Sequence, residues 1–489
     1  MAKVSSKTIY SSLLWNFLER ILVEGIQLII SIVLARILLP EDYGILSLIV
    51  VFVSIATVFV ETGFCSALIH KKEIDNNDIN FIFTVNIIIS ILMCAILFFT
   101  APLIANFYKN YNANELIRML RGYSLILPIG AISSVQTALV HRKMMFKNML
   151  VVNSIATITS GAVGIILALN GFGTWALILQ QISFKVITVL ILAFIVKWLP
   201  KVCFGKKESW GMIKYGSNIL WVRLFNTFYN KLSALVVGKR YSPETLAFYE
   251  KGQTFPSLIA TNTDYSLQKV MFSAYSKEQD NLPRIKELMR QTISLITFIL
   301  FPLIMGMFAV TKNLISCLLT DKWLDATIYM QLFCLFYLLQ PIKTTSAQAL
   351  NGIGKSNVSF RIAIFSKLLG IVLIFSTIWF GLVWMLIGLI FTEVVACLLY
   401  FILNKKYFSY GIREQVIDIL PTIVTSTIMV VAVILFTKLV TGLNKYLLLG
   451  LQVLIGFIVY AIFAFIIDKK KVRLIKDFFK NKKTEESDK

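Results

Sequence analysis

The feature that most constrains this chain is the recurrence of long apolar runs. About fourteen of them, roughly 20–30 residues each, follow one another with mostly short polar connectors. A helix needs roughly 20 largely apolar residues to cross a bilayer, so the pattern predicts an all-α, polytopic membrane protein. The expected spans, within a few residues at each end, are 9–39, 43–70, 79–107, 114–140, 148–169, 174–197, 209–238, 243–275, 285–310, 324–350, 356–380, 382–404, 413–438 and 445–468. They use nearly the whole chain and leave no stretch for a sizeable soluble domain. Composition agrees, since 57% of residues are hydrophobic and only 15% charged, which excludes a water-soluble globule, a disordered chain and a fibre.

The formal charge of +22 would suggest nucleic acid in a soluble protein. Its placement points elsewhere. With a cytoplasmic N-terminus, 29 of the 48 Lys and Arg fall on cytoplasmic segments, 7 on external ones and 12 inside helices. That is the positive-inside bias, so both termini are expected in the cytoplasm and nucleic acid is set aside. The 469–489 tail is the densest basic segment, a topology anchor or a contact for anionic lipid. Six scattered Cys without CxxC spacing read as small core residues, and two His exclude a His-rich metal site. The first apolar run carries Glu19, Arg20 and Glu24, which is too charged and too long for a cleavable signal.

The basic connector after the sixth run divides the chain. The expected domains are an N-terminal six-helix lobe at 1–197, a cytoplasmic linker at 198–208 and a C-terminal six-helix lobe at 209–404. An extra helix pair at 405–468 and the basic tail at 469–489 complete the chain. A shift of 203 residues lays the first hairpin over the seventh and eighth runs without a gap. Arg20 then falls on Arg223, Gln27 on Asn230, Pro40 on Pro243, Ser54 on Ser257 and Glu61 on Asp264. Identity over positions 20–64 is only 6 in 45, so the weight rests on the matching polar positions. Six helices separate the copies, which predicts two bundles of like orientation related by an axis along the membrane normal.

Charges inside a bilayer cost about 2.5–3.5 kcal/mol each at a helix centre, so those present are informative. With the residues near most span ends assigned to the flanking segments, twelve basic residues, Lys185 and Lys343 among them, accompany six acids within the expected helices. Ser12, Asn16, Arg20, Glu24, Gln27 and Ser31 recur at three- and four-residue spacing and share one helix face. The seventh run repeats the stripe with Arg223, Asn226, Thr227 and Asn230, next to Lys231. The second carries Ser54, Thr57 and Glu61; the eighth carries Ser257, Thr261, Asp264 and Gln268. A polar stripe on an otherwise apolar helix must face protein or water. Four such stripes predict a water-filled cavity between two bundles, cationic because the bases outnumber the acids. Such a cavity suits an anionic cargo, which Arg grips bidentately. The alternative is that the charges pair off as structural salt bridges, as Arg20 and Glu24 can at i,i+4. Glu24, Glu61, Asp264 and Glu393 are candidates for carrying a coupling proton or sodium ion, or equally for holding basic side chains in place.

Three segments carry a resemblance: Trp15-Asn16-Phe17-Leu18-Glu19-Arg20, Leu34-Ala35-Arg36-Ile37-Leu38-Leu39-Pro40-Glu41-Asp42-Tyr43-Gly44 and Glu61-Thr62-Gly63-Phe64. With Gly171-Phe172-Gly173-Thr174-Trp175 and Asp321-Lys322-Trp323, they make the chain resemble the Wzx-type polysaccharide flippases, in particular the colanic- and teichuronic-acid exporter branch. That group belongs with MATE-type multidrug exporters and lipid II flippases. The resemblance implies two six-helix lobes around a central cavity, two further C-terminal helices and a place in the bacterial cytoplasmic membrane. It also implies alternating access for an undecaprenyl-diphosphate-linked oligosaccharide, with no cofactor; a glycan polymerase is a candidate partner that the sequence leaves open. The diphosphate-binding role is carried onto Arg20 and Arg223, with Asn16, Gln27, Asn226, Asn230 and Lys231 as further cargo contacts.

Two other classes compete. A MATE-type exporter of small cations requires an acidic cavity, which these residues do not offer. A membrane glycan polymerase or ligase requires a long external loop with catalytic side chains, whereas the longest external connector here is about 311–323. No Walker A, GxSxG, DxD or HExxH motif is present.

Overall fold

The computed structural model describes residues 6–61, 63–71, 74–198, 200–204, 210–440, 442–468 and 471. The described residues are helical with short connectors and no strand, as the apolar runs predict. In chain order the first helices are α1 (Ser6–Ile37), α2 (Pro40–Glu61), α3 (Gly63–His70), α4 (Asn76–Phe107), α5 (Ala113–Ser124), α6 (Ile126–Arg142), α7 (Phe146–Leu169), α8 (Thr174–Val196) and α9 (Trp210–Arg240). There follow α10 (Pro243–Lys277), α11 (Leu282–Leu318), α12 (Ala326–Leu338), α13 (Gln340–Gly352), α14 (Ser356–Thr377), α15 (Leu382–Phe408), α16 (Ile412–Leu439) and α17 (Lys445–Ile467). Ten stretches among the described residues are long and apolar enough to cross a membrane. The expected spans outside that set are α1, α9, α10 and the α12–α13 pair, which carry Arg20, Arg223, Asp264 and Lys343.

Two expected single spans are split. The 114–140 run breaks at Leu125 into α5 and α6, and the 324–350 run breaks at Leu339 into α12 and α13. Pro128 and Pro341 explain both breaks. Each lacks the N–H that would reach the carbonyl four residues back, so the hydrogen-bond ladder cannot run through. Pro102, Pro256 and Pro302 instead lie inside the unbroken α4, α10 and α11.

The chain forms two compact units, Met1–Ala247 and Phe248–Lys489. In unit 1, α7 packs between α1 and α8, while α2 packs on α4, α6 and α9. Two glycines on α7 set the spacing of this layer. A Cβ at Gly161 would lie 2.2 Å from Ile30 Cδ1 on α1, and one at Gly164 would lie 3.0 Å from Gln180 Cβ on α8. The backbone of α7 therefore comes close enough to hold the polar faces of α1 and α8 around a common space. The first hairpin is fixed at its far end by Arg142, whose Nη1 donates to the carbonyls of Leu68 (2.6 Å) and Lys71 (2.5 Å). These are carbonyls that the end of α3 leaves unsatisfied. Asp75 caps α4 in a reciprocal capping box with Asp78.

In unit 2, α11 packs against α12, α16 and α17. The C-terminal helix pair docks on α11 through polar clasps at both ends. Arg290 donates from two nitrogens to Asp418, each at 2.8 Å, and Tyr410 donates to the same carboxylate at 2.7 Å. Toward the other end of α11, Asn313 donates to Gln452 (3.0 Å), which donates to Thr437 (2.6 Å). Just past α17, Lys471 donates to Thr422 at 2.6 Å and pairs with Asp468 at 3.1 Å. Burial pushes the Lys471 ammonium below the usual lysine range, and the Asp468 carboxylate beside it pulls it partly back. Apart from Lys471, the expected basic tail lies outside the described residues, as do 199 and 205–208 of the expected linker. Cys65, Cys317, Cys334 and Cys397 are buried and unbridged, as read from their placement in apolar runs.

Large apolar side chains such as Phe194, Leu439, Phe457 and Phe99 stand almost fully exposed on helices. In water that surface would be an aggregation hazard; in hydrocarbon it is the solvated face.

Candidate functional site

Unit 1 contains a cavity of about 600 Å³. Part of its wall is built from the polar faces that sequence spacing isolates. α1 contributes Gln27 and Ser31, α2 contributes Ser54, Thr57 and Glu61, and α9 contributes Thr227. α8 adds Gln180, Gln181 and Lys185, and α5 adds Tyr123. Apolar side chains, including Leu34, Val53, Leu177 and Phe184, fill the remainder.

Most of the α2 hydroxyls are satisfied within their own helix. Ser54 donates to the Val51 carbonyl and Thr57 to the Val53 carbonyl, both at 2.8 Å, which leaves their lone pairs open. The charged element is one ion pair, Lys185 Nζ to Glu61 Oε1 at 2.7 Å, with both side chains 27–30% exposed. Gly130 makes room for it, since a Cβ there would lie 3.0 Å from Glu61 Oε1. Tyr123 donates its hydroxyl to Gln181 Oε1. The side chains of Gln27 and Gln180 have no hydrogen-bond partner among the described residues.

The predicted site residues fall into three groups. Gln27 and Glu61 line the cavity, with Thr227 of the α9 stripe. Arg20 does not; its Nε donates to Glu24 Oε1 at 2.9 Å, the i,i+4 pair that the spacing allowed. Arg223 and Asn230 are exposed and Asn226 and Lys231 half-buried, none of them in the cavity wall. The Asn16 side chain lies outside the described residues. The cationic character expected of the cavity is therefore not found in this one: its wall carries one charge of each sign, because Lys185 meets Glu61 there.

Asp264 and Glu393 lie in unit 2. Asp264 is buried, and its Oδ2 accepts from Gln340 Nε2. Glu393 pairs with Lys343 on α13. Lys185, Gln180 and Gln181 are the cavity-lining residues that stripe reasoning missed. The available signal was that Lys185 is the sole charge in the α8 run and follows an amide pair by about one helical turn.

Residues 33–328 match the profile of a family described as polysaccharide biosynthesis protein. The chain belongs to that family. It is 21% identical over 429 residues to the lipopolysaccharide biosynthesis protein WzxC of Escherichia coli, covering 84% of this chain and 85% of that one. It is 23% identical over 358 residues to the succinoglycan biosynthesis transport protein ExoT of Rhizobium meliloti, covering 73% and 72%. Among solved structures, the lipid II flippase MurJ in an inward closed conformation superposes with a TM-score of 0.75 at 18% identity. That match covers 95% of this chain and all of the other, and it shows the fold. The resemblance to the Wzx-type flippases and the all-helical, multi-pass membrane architecture read from the sequence are borne out.

Proposed function

We propose that this protein is a flippase that moves undecaprenyl-diphosphate-linked polysaccharide repeat units from the inner to the outer leaflet of a bacterial cytoplasmic membrane by alternating access. The observation that carries the reading is a cavity of about 600 Å³, with polar side chains and an ion pair set into a largely apolar wall, inside a helical unit of a polysaccharide biosynthesis protein. Amides and an ion pair turned toward such a space have no use in a bundle that only spans lipid, where each unmatched polar group costs free energy. Named relatives that serve lipopolysaccharide and succinoglycan production support a glycan cargo and a transporter rather than an enzyme.

In this reading the lipid tail stays in the bilayer while the diphosphate and sugars cross. Arg20 and Arg223 hold the diphosphate, with Asn16, Asn226, Asn230 and Lys231 near it. Both termini face the cytoplasm, as the basic connectors support. The lobes are those of the 203-residue repeat, 1–197 and 209–404, with 405–468 as an appended pair, and a glycan polymerase receives the product. With the cell interior negative, each negative charge moved outward gains about 2.3 kcal/mol per 100 mV, so the loaded step runs downhill. Return of the empty carrier is the step that a coupling ion assists. Glu24, Glu61 and Glu393 each pair with a base, whereas Asp264 meets an amide, so Asp264 is the favoured ion carrier.

The test is export of lipid-linked glycan in cells depleted of this protein and complemented with wild type, Arg20→Ala or Arg223→Ala, with membrane abundance measured for each. Loss of export at normal abundance, with glycolipid accumulating in the cytoplasmic leaflet, is expected. Normal export by both variants would make these arginines structural. A cation exporter of the MATE type is disfavoured because Lys185 neutralises Glu61, the acid in the cavity wall.

A further inference from the structure

The cavity of unit 1 and the two arginines assigned to the diphosphate do not coincide, and the difference is chemical as well as spatial. A diphosphate needs several cationic donors at once. The cavity offers one ammonium, already 2.7 Å from a carboxylate, and Glu61 would repel a second anion. Its other polar groups are neutral. Among the described residues, Gln27 and Gln180 have unengaged amides, and Gln181 is engaged through its carbonyl alone, which leaves its NH₂ open there. Each amide presents donors and acceptors side by side, the complement of adjacent sugar hydroxyls, which both donate and accept. Lys185 has three N–H donors and gives one to Glu61, so two remain for a ligand. Leu177 and Phe184 supply apolar wall for the C–H faces of a ring. A wholly apolar occupant would leave the amides unpaired and desolvated, which disfavours it.

Position supports the separation. Arg20 precedes Gln27 by seven residues, two turns down the same face of α1, or roughly 10 Å at 1.5 Å per residue. Arg223 precedes Thr227 by one turn on α9. As first and seventh spans of a serially threaded bundle, α1 and α9 run in the same sense. Both arginines therefore lie to the same side of the cavity, the side of the cytoplasmic N-terminus.

We propose that the unit 1 cavity is a glycan subsite: Gln27, Gln180, Gln181 and the Lys185–Glu61 pair bind the hydroxyls of an uncharged part of the repeat unit, while the diphosphate stays outside it toward the cytoplasm. This rests on the flippase reading and divides its cargo into two independently recognised parts. The arrangement makes the sugar contacts separable from the phosphate contacts by substitution.

The experiment is equilibrium binding to the purified full-length protein in lipid nanodiscs with two probes. One is undecaprenyl diphosphate; the other is the lipid-linked oligosaccharide extracted from source cells depleted of this protein. Wild type is expected to bind the glycolipid at least tenfold more tightly than the bare diphosphate lipid. Gln180→Leu and Gln181→Leu are expected to erase that surplus and leave bare-lipid affinity unchanged, whereas Arg20→Ala weakens both probes. Gln27→Leu, on a different helix, gives the same readout if an α8 variant fails to fold. Equal wild-type affinity for the two probes, or a surplus that survives in the folded variants, would overturn the glycan subsite while the flippase reading stands. Failure of wild type to bind either probe would overturn the flippase reading itself.

Discussion

Glu61 in unit 1 and Asp264 in unit 2 occupy matching positions of the 203-residue repeat, yet they have come to different ends. Glu61 faces a cavity, 30% exposed, and its charge is met by Lys185 from a helix 124 residues further on. Asp264 is 6% exposed and accepts from Gln340, while the nearby ion pair of unit 2 is formed by Lys343 and Glu393, 18% and 15% exposed. The two units thus hold the same kinds of group, an acid on the second helix of the repeat and a lysine–carboxylate pair. One unit turns them toward a cavity and the other encloses them. Exposure decides what such groups can do: a pair facing a cavity can exchange partners with an occupant, and an enclosed one must be satisfied by the protein itself.

The comparison can be broken most sharply in unit 2. Lys343→Met leaves the Glu393 carboxylate without its ammonium, and loss of one partner of an enclosed pair costs about 3 kcal/mol or more. Thermal unfolding in nanodiscs should show that destabilisation, and Lys343→Met with Glu393→Gln should recover most of it. In unit 1 the corresponding change, Lys185→Met, should cost under about 1 kcal/mol of stability, because the pair, 27–30% exposed, faces the cavity and is screened there. Its effect should fall instead on transport, with glycan export down about tenfold at normal abundance. A Lys185→Met protein as unstable as Lys343→Met would erase the distinction between the two units. Asp264→Asn is expected to have the smallest effect on folding, since an amide oxygen still accepts from Gln340. Its signature is kinetic: export by wild type responds to collapse of the ion gradient that it uses, and export by Asp264→Asn does not.

The spans were readable because apolar periodicity over twenty residues has one solution in a bilayer. The expected 445–468 is Lys445–Ile467, and 413–438 is Ile412–Leu439. Breaks at Leu125 and Leu339 were readable only as prolines near helices, because the apolar run itself continues through them. The site was half legible. Gln27 and Glu61 announced themselves as members of polar stripes, a local pattern. Lys185 stands alone in an apolar run, and its meaning depends on the packing of α8 against α2 and α7, where Gly130 and Gly164 make the space. Stripe reasoning also joined Arg20 to Gln27 in one lining. They do share a face, but a helix face is longer than a cavity, and Arg20 turns to Glu24 instead.

The most direct test of the central claim is translocation by the purified protein. Proteoliposomes containing it would be loaded with the extracted lipid-linked oligosaccharide in the inner leaflet, and appearance of the sugar outside would be followed with an impermeant oxidant or lectin. Protein-dependent appearance of glycan, abolished by Arg20→Ala and Arg223→Ala at equal reconstitution, is the predicted result. Appearance at the rate of protein-free vesicles under every imposed potential and ion gradient would contradict the account.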